Sequence, residues 1–263
     1  MNVTAIIIAA VVIAATGIIV GIGLGLFGEK FKVEVDEKEQ AIRDELPGNN
    51  CGGCGFAGCD ALAKAIAAGQ APANACPVGG APVGEKIAAI MGVAAEAGQK
   101  KVAFVRCKGN CENAKVQYTY SGIEDCRMAT VVPGSGAKAC SVGCMGLGSC
   151  VKACAFDAIH VENGVAVVDE EKCVACGKCV AACPNNLIEL VPYDSKHRVQ
   201  CSNHAKGKDV KAVCSAGCIG CTLCTRQCEF AAIHMDNNLA VIDYEKCTNC
   251  GKCAEKCPVK VIL

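Results

Sequence analysis

Twice along this chain, three cysteines stand at three-residue intervals and a fourth follows with a proline. Cys173-x2-Cys176-x2-Cys179-x3-Cys183-Pro184 recurs as Cys247-x2-Cys250-x2-Cys253-x3-Cys257-Pro258. In the bacterial ferredoxin run of this spacing, three thiolates hold one [4Fe–4S] cluster and the fourth reaches a neighbouring cluster. Such sites exchange single electrons. Zinc modules pair two C-x2-C knuckles rather than set three thiolates at three-residue intervals. A disulfide framework would not call for so tight a repeat. The chain has 25 cysteines in 263 residues. Thiolates kept for metal must stay reduced, so the cysteine-rich part is expected to face the cytoplasm.

A second cysteine group precedes each run, and the whole forms an internal repeat with an offset of 74 residues. Cys140, Cys144, Cys150, Cys154, Cys173, Cys176, Cys179 and Cys183 match Cys214, Cys218, Cys224, Cys228, Cys247, Cys250, Cys253 and Cys257. In the second repeat the interleaving rule predicts one cluster on Cys218, Cys221, Cys224 and Cys257 and another on Cys228, Cys247, Cys250 and Cys253. In the first, Cys154, Cys173, Cys176 and Cys179 form the counterpart of the latter. The remaining site has a gap, because Leu147 stands where Cys221 stands in the other repeat. Cys144, Cys150 and Cys183 supply three thiolates there. Cys140 is the expected fourth, with a [3Fe–4S] cluster or an unusual ligand as the alternative. Cys107, Cys111, Cys126, Cys201 and Cys214 are left over. Cys126 and Cys201 occupy nearly equivalent places in the two repeats, one residue out of register. Some of these five would build a sixth cluster, or several are buried, inert thiols.

A third kind of group lies upstream: Cys51-x2-Cys54-x4-Cys59-x16-Cys76-Pro77. Gly52, Gly53, Gly55 and Gly58 let the backbone fold tightly and turn amides toward cluster sulfurs. This pattern fits a single [4Fe–4S] cluster, with zinc the rival at a less diagnostic spacing. Five clusters are therefore expected and a sixth is left open.

The elements that must hold these thiolates are small. Tryptophan is absent and aromatics make up 4%, so cores built on large aromatics are not available. Metal-binding free energy then serves as folding free energy. A helix is predicted over Val35–Leu46, stopped by Pro47-Gly48. Another is predicted over Asp60–Ala68, capped by Asp60 and ended by Gly69. Gly84–Gly98 reads as helical and Lys101–Arg106 as a strand. Each repeat is predicted to carry a short hairpin, around Asn163-Gly164 or Asn237-Asn238.

Val3 to Phe27 contains no charged residue. A helix needs about 20 apolar residues to cross a bilayer, so an uncleaved anchor is expected; a signal peptide would want a basic n-region and a shorter apolar core. Lys30, Lys32 and Arg43 follow the span and no base precedes it, which orients the C-terminal side to the cytoplasm. Gly17, Gly21 and Gly25 line one face, suited to close packing against other membrane helices. The formal net charge of zero hides an asymmetry. Glu29–Glu45 holds seven acids against four bases, and Ser195–Leu263 ten bases against six acids. The basic end, with Lys196, Arg198, Lys206, Lys208 and Lys211, would suit an acidic protein partner. His160 and His234 are repeat equivalents on a strand and read as structural. His197 and His204 lie in the basic connector. No nucleophile–base pair, phosphate loop or dinucleotide fingerprint is present, so neither an NAD nor a flavin site is expected on this chain.

A glycine-bearing N-terminal apolar helix, then LPGNNCGGCGFAGC with Cys76-Pro77, then ferredoxin repeats, resembles the B component of the Rnf complexes, in the long cysteine-rich form of anaerobes that carries GCMGLGSC and GCIGCTLC. The resemblance implies an iron–sulfur, electron-transport subunit of an ion-translocating ferredoxin:NAD oxidoreductase. It would accept electrons from reduced ferredoxin, with NAD, flavins and the Na+ or H+ path on other membrane and peripheral subunits. A single-pass protein of the cytoplasmic membrane is implied, with no nucleic-acid partner. The alternative is a membrane-tethered polyferredoxin that serves another reductase or keeps a redox-sensing regulator reduced. The expected fold is α+β: a transmembrane anchor over 1–28, a linker helix over 29–46, a small helical [4Fe–4S] domain over 47–99, and two tandem ferredoxin-like modules over 100–190 and 191–263, the first with an N-terminal extension.

Overall fold

The computed structural model describes residues 3–30, 36–94 and 98–263. Val35, Lys32, Glu34 and the residues 95–97 of the predicted third helical stretch lie outside the described residues. The first element, α1 (Val3–Lys30), is a continuous helix of 28 residues. Among the described residues no helix is long and apolar enough to cross a membrane.

The next three helices make the first cysteine domain: α2 (Glu37–Glu45), α3 (Cys59–Ala67) and α4 (Gly80–Met91). Asp36 caps α2 by accepting from the Lys38 amide, which satisfies one orphan donor of the first turn. The predicted capping role of Asp60 is not what the structure has. Gly58 is the N-cap of α3, and Asp60 is the second residue of the helix, paired with Arg43 of α2. The glycine wins because its φ of 115° is a conformation that side chains rarely adopt. Gly92, in the left-handed region, ends α4. Ile42, Leu62, Ile66 and Ile87 are fully buried between these helices. Burial of each is worth about 1.5–3 kcal/mol.

Two ferredoxin-like modules follow. The first contains β1 (Lys101–Val105), α5 (Cys126–Ala129), α6 (Ser149–Ala153), β2 (Ile159–Glu162), β3 (Val165–Val168), α7 (Lys178–Ala182) and β4 (Ile188–Pro192). The second contains α8 (Gly207–Val213), α9 (Leu223–Gln227), β5 (Ile233–Asp236), β6 (Leu239–Ile242) and α10 (Lys252–Glu255). The predicted hairpins form, β2 with β3 and β5 with β6. Their turns, Asn163-Gly164 and Asn237-Asn238, have positive φ at both residues, as two-residue hairpins prefer. The predicted strand at Lys101 pairs antiparallel with β4, so that Val105 faces Ile188. In the second module an isolated bridge joins Val199 to Ile262 at the corresponding place.

Each module core mixes aliphatic side chains with cysteines. Val105, Ile159, Leu187 and Ile188 pack with Cys150 and Cys179; Val199, Ile233, Leu239 and Val261 pack with Cys201, Cys218 and Cys224. Val102, Phe104 and Val191 are covered by Tyr193 and by Tyr244 of the second module.

Candidate metal centres

The cysteine loops are shaped by left-handed turns. Ala175 and Asn249 have φ of 53° and 57°, and Gly177 and Gly251 have 76° and 78°. These repeat-equivalent turns wrap each C-x2-C-x2-C segment around a hollow. Cys154, Cys173, Cys176 and Cys179 line one cavity of about 350 Å3. Cys228, Cys247, Cys250 and Cys253 line its counterpart of about 360 Å3. Backbone amides point at the sulfurs: Ala103 N–H donates to Cys173 Sγ at 3.3 Å and Ala232 N–H to Cys228 Sγ at 3.3 Å.

Cys218 and Cys224 are buried in the second module's core, against which Cys257 packs; Cys221 is exposed. Val261 N–H donates to Cys257 Sγ at 3.4 Å. In the helical domain Cys59 and Cys76 are buried and Cys54 packs against the same core. Cys51 is half-buried. Gly79 N–H donates to Cys76 Sγ at 3.4 Å. Cys54 and Cys76 border a cavity shared with Cys173 of the first module.

At the Leu147 gap the structure brings Cys126, rather than Cys140, next to the three thiolates. The cavity there, about 410 Å3, is lined by Cys144, Cys150 and Cys183, and by Cys126. Cys140 does not line it. Cys126 starts α5, whose first turn is capped by Asp125, and its amide donates to the buried Ser149 hydroxyl at 2.6 Å. That bond holds it beside Cys150. Arg127 ties the same turn to the Ala181 carbonyl of α7 at 3.1 Å. Cys140 is drawn elsewhere, with Asn203 Nδ2 at 3.6 Å from its sulfur. It lines a separate cavity of about 400 Å3 with Cys107, Cys201, Cys214 and the backbone-donating Cys144. Cys126 and Cys201 are therefore not equivalents. Cys111 is exposed and lines neither of these cavities.

The donor sets suit a polyatomic cluster. Thiolates spread around hollows, with backbone amides aimed at sulfur, fit the way a [4Fe–4S] core is held.

Comparison with known proteins agrees. The Fe-S cluster family model matches residues 46–78, and the 4Fe-4S binding domain family matches residues 166–189 and 240–263. The chain is 46% identical to the B component of the Na+-translocating ferredoxin:NAD+ oxidoreductase complex of Acetobacterium woodii over 95% of its own length and 75% of the relative's. It is 44% identical to the B component of the ion-translocating oxidoreductase complex of Methanosarcina acetivorans over 95% of both. Against the B component of the proton-translocating ferredoxin:NAD+ oxidoreductase complex of Clostridium ljungdahlii it is 40% identical over 96% of the chain and 90% of the relative. The chain belongs to the B-component family of ion-translocating oxidoreductase complexes. It is an iron–sulfur electron-transfer protein with several [4Fe–4S] clusters.

In this member of the B-component family, burial dominates the thiol chemistry. It raises the Cys107, Cys179 and Cys224 thiols to about 11, and the Cys150 thiol to about 12, where the charges of Cys144, Cys126 and Cys183 add to it. Metal-free, these groups stay protonated at neutral pH, so loading a cluster releases protons. Sequence reasoning missed two side chains. His197 lines the cavity of Cys247, Cys250 and Cys253, with Nδ1 at 2.6 Å from the Leu263 carbonyl; only its place in the basic connector marked it. Arg198, read as part of a basic surface, is 3% exposed. It pairs with Glu170 and lies over the Phe104 ring at 5.4 Å.

Proposed function

We propose that this chain carries electrons from reduced ferredoxin toward NAD+ inside a membrane complex that moves Na+ or H+, as the names of its relatives state for them. Five clusters on the sets Cys51/Cys54/Cys59/Cys76, Cys154/Cys173/Cys176/Cys179, Cys126/Cys144/Cys150/Cys183, Cys218/Cys221/Cys224/Cys257 and Cys228/Cys247/Cys250/Cys253 carry the traffic. A [4Fe–4S] cluster supplies one-electron exchange over a tunable range of potentials.

The observation that carries this reading is that neighbouring cysteine cavities share ligating side chains, Cys173 between two of them and Cys144 between two others. A Cβ on Gly53, between Cys51 and Cys54, would lie 2.9 Å from the Cys176 backbone, so the helical domain abuts the first module at its ligand loop. Cys144 borders two adjoining cavities. The protein's part is to hold the thiolates, donate amides to them and exclude water. The exposed bases Lys196, Lys206, Lys208 and Lys211 form the dock for an acidic ferredoxin. Charge complementarity of this kind raises the encounter rate.

We further propose α1 as a single-pass anchor with the cysteine modules on the cytoplasmic side. No charge interrupts Val3–Phe27, the helix is unbroken, and Ile13, Ile19 and Leu24 are each about 70% exposed. Such an apolar surface needs lipid or partner helices. Purification of the complex from membranes through a tag on this chain tests the role. Flavin-bearing membrane subunits should come with it, and ferredoxin-dependent NAD+ reduction should stop when it is removed. A chain that purifies alone, with an activity indifferent to its removal, would overturn the assignment.

A further inference from the structure

Among the described residues two bases are buried, Arg198 and Lys138. Arg198 is paired with Glu170. Lys138 has no carboxylate partner in the ion pairs formed among the described residues. We propose that Lys138 is a positioning residue for electron transfer: it raises the reduction potential of the cluster on Cys126, Cys144, Cys150 and Cys183 above that of its repeat counterpart on Cys218, Cys221, Cys224 and Cys257. Electrons then run from the second module to the first. The proposal rests on those two ligand sets and not on which complex the chain serves.

The fold fixes the ammonium beside the Cys144 loop. Lys138 is 8% exposed, and its Nζ donates to the Gly109 carbonyl at 2.6 Å and the Gly164 carbonyl at 2.5 Å. The Gly164 oxygen also lies against Gly146, two residues after Cys144: a Cβ on Gly146 would stand 2.6 Å from it. Gly146 and Gly164 have φ of 78° and 75°, so glycine supplies both the turn and the close approach. The same hairpin serves Cys144 directly, since Ala166 N–H donates to Cys144 Sγ at 3.4 Å. Lys138 and Cys144 line one cavity. Burial raises the Cys144 thiol, and the Lys138 charge opposes that rise.

A buried charge without a counter-charge is costly. A [4Fe–4S] core with four thiolates is a net anion and supplies one. Its negative charge grows by one on reduction, so a fixed cation stabilises the reduced form more than the oxidised form. Inside a protein this attraction acts at an effective dielectric constant of about 20 rather than that of water, and salt screens it little.

The cation is one-sided in surroundings that are otherwise repeated. Val105 pairs with Ile188 and Val199 with Ile262, and Cys107 and Cys201 each follow two residues later. Cys107 Sγ accepts from the amides of Gly109 and Cys144, and Cys201 Sγ from those of Asn203 and Cys218. Gly109 thus matches Asn203, and Cys144 matches Cys218. At the repeat offset of 74, however, Lys138 is answered by Ala212, which is exposed. The lysine sets apart two clusters that the repeat would make alike. Exposure runs the same way. Of the ligands assigned to the five sites, Cys221 and Cys250 are the exposed ones, both in the second module. Electrons enter where thiolates meet the surface, and Lys138 draws them inward to the first module.

Redox titration of the full-length chain, purified anaerobically in detergent and followed by electron paramagnetic resonance, tests this. Each cluster is identified by the component that its ligand variant lacks, Cys126→Ser for the site beside Lys138 and Cys221→Ser for its counterpart. In the wild type the component missing from Cys126→Ser should be reduced before the other. Lys138→Met should keep the wild-type iron content and lower the reduction equilibrium constant of that component about tenfold, a shift of about 59 mV for one electron. The component missing from Cys221→Ser should not move. Lys138→Arg, which keeps the charge, should hold the wild-type value, and added salt should leave the shift unchanged. A wild type that reduces the two components together, or in the reverse order, would overturn the proposal whether or not Lys138→Met folds. So would an iron-replete Lys138→Met that moves neither component, or only the other one. Undiminished iron in Cys126→Ser would overturn the ligand set itself, and it is read without any potential.

Discussion

Cys126 lines the cavity at the site that Leu147 leaves open, and no local spacing announces it. The interleaving rule works on cysteines a few residues apart, and Cys126 is 18 residues from Cys144. Its position is set by the Ser149 hydroxyl and the Asp125 cap, neither of which reads as a metal signal. Cys126→Ser should therefore cost the full chain up to about four iron atoms, with Cys144, Cys150 and Cys183 left one ligand short. Undiminished iron in that variant would return the fourth position to another donor. The ferredoxin-run cysteines, by contrast, were legible as a group because their spacing alone wraps them around one hollow. Arg198 shows the opposite failure: a charge count placed it on a surface, but burial, Glu170 and the Pro192 and Tyr193 carbonyls hold it inside. Arg198→Met should lower the denaturation midpoint by an amount equivalent to about 1.5–3 kcal/mol, the usual worth of hydrogen bonds to a charged group. A change within error would mean the arginine contributes nothing there.

At the scale of elements, the two repeats differ by an insertion. Cys107 and Cys140 are 33 residues apart, whereas their equivalents Cys201 and Cys214 are 13 apart. The extra 20 residues, held by Tyr118 OH to the Pro133 carbonyl at 2.9 Å, carry α5 and Cys126. The repeat was readable at a fixed offset only from Cys140 onward, which is why Cys107 was left unmatched and Cys126 was matched to the wrong partner. Hairpins were readable because Asn-Gly and Asn-Asn tolerate the positive φ their turns require. The pairing of β1 with β4 was not, because it joins residues some 85 positions apart. One contact between elements is open to direct test. Gly53 has no room for a side chain against the Cys176 backbone. Gly53→Ala should keep its iron yet slow reduction of the Cys51/Cys54/Cys59/Cys76 cluster, because the helical domain must move away from the first module. Unchanged kinetics by freeze-quench spectroscopy would show that this contact does not carry electrons.

For the molecule as a whole, cysteine cavities occur in both ferredoxin-like modules and where the helical domain meets the first of them. Two expectations belong to this scale. The full-length protein should resist alkaline extraction from membranes; recovery in the soluble fraction without detergent would remove α1 as the anchor. Reduction by ferredoxin should slow as salt is added, since screening acts over about 8 Å at physiological ionic strength. Charge reversal at Lys206, Lys208 and Lys211, all exposed, should slow it further without changing the iron content. Salt-independent rates would remove the dock and leave the electron path untouched.

Stopped-flow mixing of the oxidised full-length chain with reduced ferredoxin, and separately with NADH, bears most directly on the central claim. Ferredoxin should bleach the iron–sulfur absorbance rapidly, and NADH without any other subunit should leave it unchanged. Rapid direct reduction by NADH, or no bleaching by ferredoxin, would contradict the account.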